Sequence, residues 1–183
     1  LQRCGPKGAG ALYVKKGTVL ESFVHGGGQE RGKRSGTENV AAIFGFGFAC
    51  ELLSGEIQSE NIRLKALRDR LFQELSKSIE DIYLNGHPDA RVCNTLNVCF
   101  PGIPGDSVVM NLDTEGIAVS TGSACSEGNV DPSHVLIAMG LSEHQALCSV
   151  RFSFGKFTEE KEIQTVAELL PPIIKRIRNL QNF

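Results

Sequence analysis

Apolar positions recur along this chain in two rhythms, and the rhythms divide it into elements. From Asn39 to Leu53 the residues Val40, Ile43, Phe44, Phe48 and Leu52 follow helical spacing. From about Ile57 to Ile79, Leu64, Leu67, Leu71, Leu75 and Ile79 mark one face of a second helix. Gly45 and Gly47 weaken the first helix, and Ser54-Gly55 predicts a break between the two. Arg63, Arg68, Asp69 and Glu74 fall on the second helix's solvated side and are assigned no function. Alternation takes over at Asn94 to Phe100, where Leu96, Val98 and Phe100 share one face, and returns at Cys148 to Phe154 with Cys148, Val150, Phe152 and Phe154 inward. Shorter strands are predicted at Ala9 to Val14, before Asn85-Gly86, and at Ile117 to Ser120.

Turn and cap residues punctuate the rest. Asp106 predicts a helix through Leu112 or so that Gly116 ends, and Asp131-Pro132 opens a short helix that Gly140 closes. Thr158 caps a last helix whose stripe is Ile163, Val166, Leu170, Ile173, Ile174 and Ile177, and Pro171-Pro172 predicts a kink or split in it. The order of elements predicts an α/β layer in which helices cover a small mixed sheet. There is no internal repeat and no low-complexity tail.

Composition narrows the classes of function. The 183 residues suffice for a good-sized domain, or for one domain and part of another, without disulfide staples. A net charge of −2 with mixed signs points away from nucleic acid and from acidic membrane surfaces. The six cysteines, at 4, 50, 93, 99, 125 and 148, form no CxxC pair and no zinc-like spacing, so they read as separate thiols in a reducing compartment with no metal site. No apolar run approaches the roughly 18 residues of a membrane span, so no membrane partner is expected. The expected location is the cytoplasm, or an organelle matrix if a transit segment is missing. The chain starts at Leu1, without an initiator methionine, and looks cut.

Three places carry chemistry. His25 to Asn39 holds five glycines with Arg31, Lys33 and Arg34, a composition that lets backbone and cations approach an anion while Ser35 and Thr37 add hydroxyl donors. A mobile surface loop is an equal alternative on composition alone. The His-Gly-Gly-Gly start does not indicate a lipase, because no GxSxG elbow accompanies it. Gly5-Pro6-Lys7-Gly8 is no phosphate loop either, because Lys7 precedes the strand.

The second place is Ala118 to Gly128, where small residues surround Cys125. A thiol on such a tether is able to reach a substrate bound elsewhere, whereas an arbitrary cysteine is more often core filler. The third is Arg151, on the polar side of the strand ending at Phe154. A guanidinium there wants an anion, either a substrate carboxylate held bidentately or an internal acid.

These places also carry a resemblance. GPKGAGALYV, HGGGQERGKRSGTEN, VSTGSACSEGNVDPSHVLIAMGL and SVRFSFG resemble successive blocks of the NifS/IscS-type cysteine desulfurases, pyridoxal-phosphate enzymes of aminotransferase fold type I in the class V family. Four blocks in one order are far more specific than any one of them. The resemblance covers roughly the C-terminal half of such an enzyme: residues 1–53 as the end of the large cofactor-binding domain, and 54–183 as the small domain with the cysteine loop. It implies conversion of L-cysteine to L-alanine, with the sulfur left as a persulfide on Cys125 for iron–sulfur cluster or thio-cofactor assembly. Arg151 would hold the substrate carboxylate, and Thr37 would reach the phosphate of pyridoxal 5'-phosphate in the partner subunit of a homodimer. A sulfur-acceptor or iron–sulfur scaffold protein is the implied macromolecular partner. One departure stands out. Where the family has a His-Lys pair whose lysine forms the Schiff base, this chain has Leu1 and Gln2, and Lys7 aligns with a different family lysine. The chain alone is therefore expected to be inactive. A selenocysteine lyase and a non-catalytic sulfur-carrier paralogue are the alternatives.

Overall fold

The computed structural model describes residues 7–121 and 131–181. They belong to two compact units, Leu1–Gln58 and Ser59–Phe183. In the first, Ala9 to Val14 forms no strand, contrary to its apolar pattern. Leu12 and Tyr13 are 74% and 88% exposed. A strand needs partners for its N–H and C=O groups, and the described residues of this unit contain no second strand. A single turn, α1 (Gln29–Gly32), follows, with Glu30 and Arg31 both left-handed at φ 51° and 59°. For residues with a Cβ that conformation costs on the order of 1 kcal/mol each.

Helix α2 spans Val40–Ser78 without interruption, where two helices and a break were expected. An interior glycine costs only about 1 kcal/mol against alanine. Ser54 bonds its hydroxyl back to the Glu51 carbonyl at 2.7 Å, so neither residue removes a helical hydrogen bond as proline would. The N-terminal part of α2 is also more apolar than expected. By length and composition the helix could cross a membrane, with an 18-residue window at mean hydropathy 1.6 that is 6% buried.

The second unit is built on a four-stranded sheet in the order β1-β2-β4-β3, with β1 at Tyr83–Leu84, β2 at Thr95–Cys99, β3 at Ser120–Thr121 and β4 at Ser149–Ser153. Every neighbouring pair is antiparallel, which corrects the expected mixed sheet. The expectation has a physical root: β2, α3 (Gly105–Thr114) and β3 run in series like a parallel crossover. β4 inserts between the two strands and pairs antiparallel with both.

One face of this sheet is the core. Leu96, Val98, Phe100, Val150, Phe152 and Phe154 meet the C-terminal part of α2, the inner side of α3, and α6 (Glu160–Gln181) in a single cluster. Helix α6 passes through Pro171 and Pro172 as one helix instead of splitting there; α3 ends at Thr114, and Gly116, at φ 75°, lets the Ile117 N–H return to the Leu112 carbonyl at 2.9 Å. Two arginines expected on a solvated face instead brace the unit. Arg68 is 3% exposed and donates to Asp69 and to the Val92 carbonyl, and Arg63 donates to the carbonyls of Gly155, Lys156 and Thr158. Helix α4 is His134–Ala138, starting later than Asp131-Pro132 suggested. Helix α5, Glu143–Leu147, had no counterpart in the pattern of apolar residues, yet Ser142 and Gln145 close a full capping box on it.

Candidate functional sites in the two units

In the first unit, Thr37 lies exposed on the wall of a cavity of about 670 Å³ whose polar edge also holds Lys33, Arg34 and Gly36. Gly36 has φ 105°, which only glycine adopts without strain. Its amide is already donated to Gln29 Oε1 at 3.2 Å. Ser35, a predicted hydroxyl donor, is instead buried and donates to the Val24 carbonyl at 2.8 Å. The residues left to meet an anion are therefore Lys33, Arg34 and the Thr37 hydroxyl, with Glu30 and Glu38 lining the same cavity. By charge and donor type the first three suit a phosphate, and the two acids oppose one. Arg31, the third predicted cation, sits in the left-handed turn and does not line the cavity.

In the second unit the outer face of the sheet is polar where the inner face is apolar. Arg151 on β4 is exposed there. It stands directly opposite Asn97 of β2 on one side and Ser120 of β3 on the other. Among the described residues no carboxylate pairs with Arg151, so the internal ion pair weighed against a ligand is not formed there. Behind it lies a hydrogen-bonded row. Asn85 Nδ2 donates to Asn97 Oδ1 at 2.6 Å and to Ser149 Oγ at 2.8 Å, and Ser149 Oγ donates to the Gln145 carbonyl at 2.6 Å. Sequence reasoning passed over Asn85 and Asn97. The signal that would have found Asn97 is its place in the alternation, on the same face as Arg151.

Cys125 lies outside the described residues, as does Gln2. β3, which pairs with β4 beside Arg151, is the last described element before Cys125 in the sequence. Two of the other described cysteines are poor nucleophiles because they are buried. Burial pushes the thiols of Cys99 and Cys148 up, and Cys93 is half-buried with its Sγ 3.3 Å from Asn61 Oδ1. Cys50 is exposed on α2 in the first unit. Among the described residues, no group of three or more potential metal ligands gathers.

Residues 3–166 match the aminotransferase class-V family. Over 176 residues the chain is 47% identical to a cysteine desulfurase, IscS 1, of Archaeoglobus fulgidus, covering 96% of this chain and 46% of that protein. It is 44% identical over 179 residues to the cysteine desulfurase IscS of Dictyoglomus turgidum, covering 98% and 45%. Among solved structures, a NifS-like protein superposes with a TM-score of 0.80 at 34% identity, over 93% of this chain and 43% of that one. A NifS-like protein from Rickettsia africae gives 0.75 at 32% identity, over 86% and 41%. The chain thus spans less than half the length of the relatives it matches.

Proposed function

Since the chain belongs to the aminotransferase class-V family and has the fold of its NifS-like members, we propose that it is the substrate-reading and sulfur-accepting portion of a pyridoxal-phosphate-dependent cysteine desulfurase. The observation that carries this reading is the strand register. It sets Arg151, with no described acid to neutralise it, beside β3, and Cys125 follows Ser120 by five residues. Five residues of extended chain reach at most about 17 Å. A substrate held at Arg151 by its carboxylate is within range of that thiol.

The chemistry balances without a further reactant. The Cys125 thiolate attacks the sulfur of L-cysteine, and the carbon–sulfur bond breaks with its electron pair left on carbon. That carbon takes a proton to give L-alanine, while the sulfur stays as Cys125–S–SH. Pyridoxal 5'-phosphate, when bound, supplies the electron sink that makes this bond breakable. This chain's part is to hold and to position. Thr37, Lys33 and Arg34 would hold the phosphate, across the interface of a homodimer, and Arg151 would fix the carboxylate bidentately. The persulfide would then pass to a sulfur-acceptor or iron–sulfur scaffold protein, and the reducing interior of the cell is the compartment that suits it.

Gln2 favours a second reading. By the resemblance it stands where the family has its cofactor-binding lysine, and a natural chain with this residue would carry sulfur delivered by another protein. One experiment separates the two: intact and peptide mass of the protein from its natural source, after L-cysteine and after borohydride. One added sulfur on the Cys125 peptide, equimolar L-alanine, and a borohydride-fixed phosphopyridoxyl group support the desulfurase. Added sulfur on Cys125 only when a donor protein is present supports the carrier. Sulfur on no cysteine, with Cys125 alkylated no faster than Cys50, overturns both.

A further inference from the structure

The polar row behind Arg151 has a direction, and the direction can be read from its far end. The Gln145 carbonyl is only an acceptor, so at 2.6 Å the proton between it and Ser149 Oγ belongs to the serine. Ser149 Oγ, its one proton spent, accepts from the next residue. Asn85 therefore turns its Nδ2 toward Ser149, at 2.8 Å, and the same nitrogen donates to Asn97 at 2.6 Å. Asn97 must present Oδ1 to it. The amide orientations of both asparagines are thus dictated by one backbone carbonyl, through a serine that is fully buried and an asparagine that is 7% exposed. A second tie, from the Asn85 N–H to the Asn97 carbonyl at 2.9 Å, holds the two backbones in register.

What the relay leaves over is the Asn97 Nδ2 amine. Among the described residues no acceptor takes a hydrogen bond from it. Asn97 is the direct cross-strand partner of Arg151 on the same face, where side chains of such a pair start about 5 Å apart. Two sets of N–H donors, one charged and one neutral, therefore sit side by side on this face with no described acid between them.

We propose that Asn97 is a second donor to the ligand carboxylate at Arg151, with Asn85 as the positioning residue that keeps the amine, not the carbonyl, turned toward it. This deepens the reading of Arg151 given above and rests on it. The chemistry selects its ligand class: a planar carboxylate with one oxygen on the guanidinium and the other shared with the amide. A carboxamide fits poorly, because its own NH₂ meets only donors.

The test is an NMR titration of the ¹⁵N-labelled chain with L-alanine, against L-alaninamide at matched ionic strength. Expected is a joint shift of the Asn97 side-chain NH₂ and the Arg151 Nε–H along one isotherm with L-alanine, absent with the amide. Asn97→Asp should weaken binding about tenfold or more, since it replaces a donor by a like charge. Asn85→Asp is the discriminating variant. It reverses the relay, so Asn97 turns its carbonyl to the ligand and binding falls although Asn97 and Arg151 are unchanged. Retained amide dispersion in both variants shows that they fold. Movement of Arg151 with Asn97 still, or Asn85→Asp binding as tightly as the parent, overturns the proposal and leaves the Arg151 reading standing. If neither residue moves, the Arg151 reading falls and this one with it.

Discussion

The two units solve the same problem in opposite ways. In Ser59–Phe183 the apolar stripe of each helix finds a partner, and Leu75, Val98, Phe100, Val108, Leu112 and Val150 are completely buried. In Leu1–Gln58 the helical spacing is just as regular, yet Val40, Phe44, Phe48 and Leu52 are exposed by 72%, 75%, 53% and 58%. Periodicity announces a face that is fit for burial. It does not supply the surface that buries it. These apolar side chains find no covering surface among the described residues of a chain that spans less than half of its relatives' length.

The sharpest way to test that contrast is a matched pair of truncations. Leu75→Ala removes a fully buried side chain from the closed core and should cost about 3–5 kcal/mol. Phe44→Ala removes a larger one and should cost under about 0.5 kcal/mol in the isolated chain, because the ring already faces water. Urea unfolding of both variants measures the difference. Equal losses would mean that the first unit's apolar face is packed in solution, and the contrast would break.

A smaller effect bears on the candidate site itself. A Cβ on Gly105, the first residue of α3, would stand 2.8 Å from the Ser149 carbonyl, 2.9 Å from Thr121 Cγ2 and 3.0 Å from the Leu147 carbonyl. Two of these are backbone atoms that cannot swing aside. Gly105→Ala should cost about 1–3 kcal/mol. Because it pushes on β3 and on the start of β4, it should also disturb the Arg151 side-chain signal, which a loss of stability elsewhere would leave alone. An unchanged melting temperature would show that α3 can shift without cost.

How legible was this in the sequence? The alternation at Asn94 to Phe100 and at Cys148 to Phe154 placed β2 and β4 and sorted their faces, so the position of Arg151 on the polar side follows from the pattern alone. Local alternation carries that information because one face is buried. It cannot say which strand lies between which, and the insertion of β4 between β2 and β3 made the sheet antiparallel instead of mixed. The Ser54-Gly55 break failed for a related reason: a glycine is a weak stop that the rest of a long helix overrides. Ala9 to Val14 failed because strand formation depends on neighbours the pattern does not contain. Asn97 was visible as a position, while its role needed Asn85, twelve residues away, and Ser149, in another strand.

The smallest effect concerns charge within the second unit. Asp69 on α2 is subject to opposing influences: burial alone would raise its pKa, but hydrogen bonds from Lys65 and Arg68 outweigh that and hold it below the ordinary carboxylate value of 3.8. A carboxylate whose folded pKa is depressed stabilises the fold above its unfolded value, and that contribution is lost as the pH falls through the folded one. Asp69→Asn should therefore cost stability at pH 7, by under about 1 kcal/mol because the carboxylate is partly solvated. The cost should shrink as the pH falls from the ordinary carboxylate value toward the lower folded one, as wild type comes to lose the same charge. Urea midpoints of the two proteins at pH 7 and pH 3 make the comparison. A gap that stays constant would mean that Arg68, 3% exposed, is held by the Val92 carbonyl alone, and that the charge of Asp69 adds nothing to the brace.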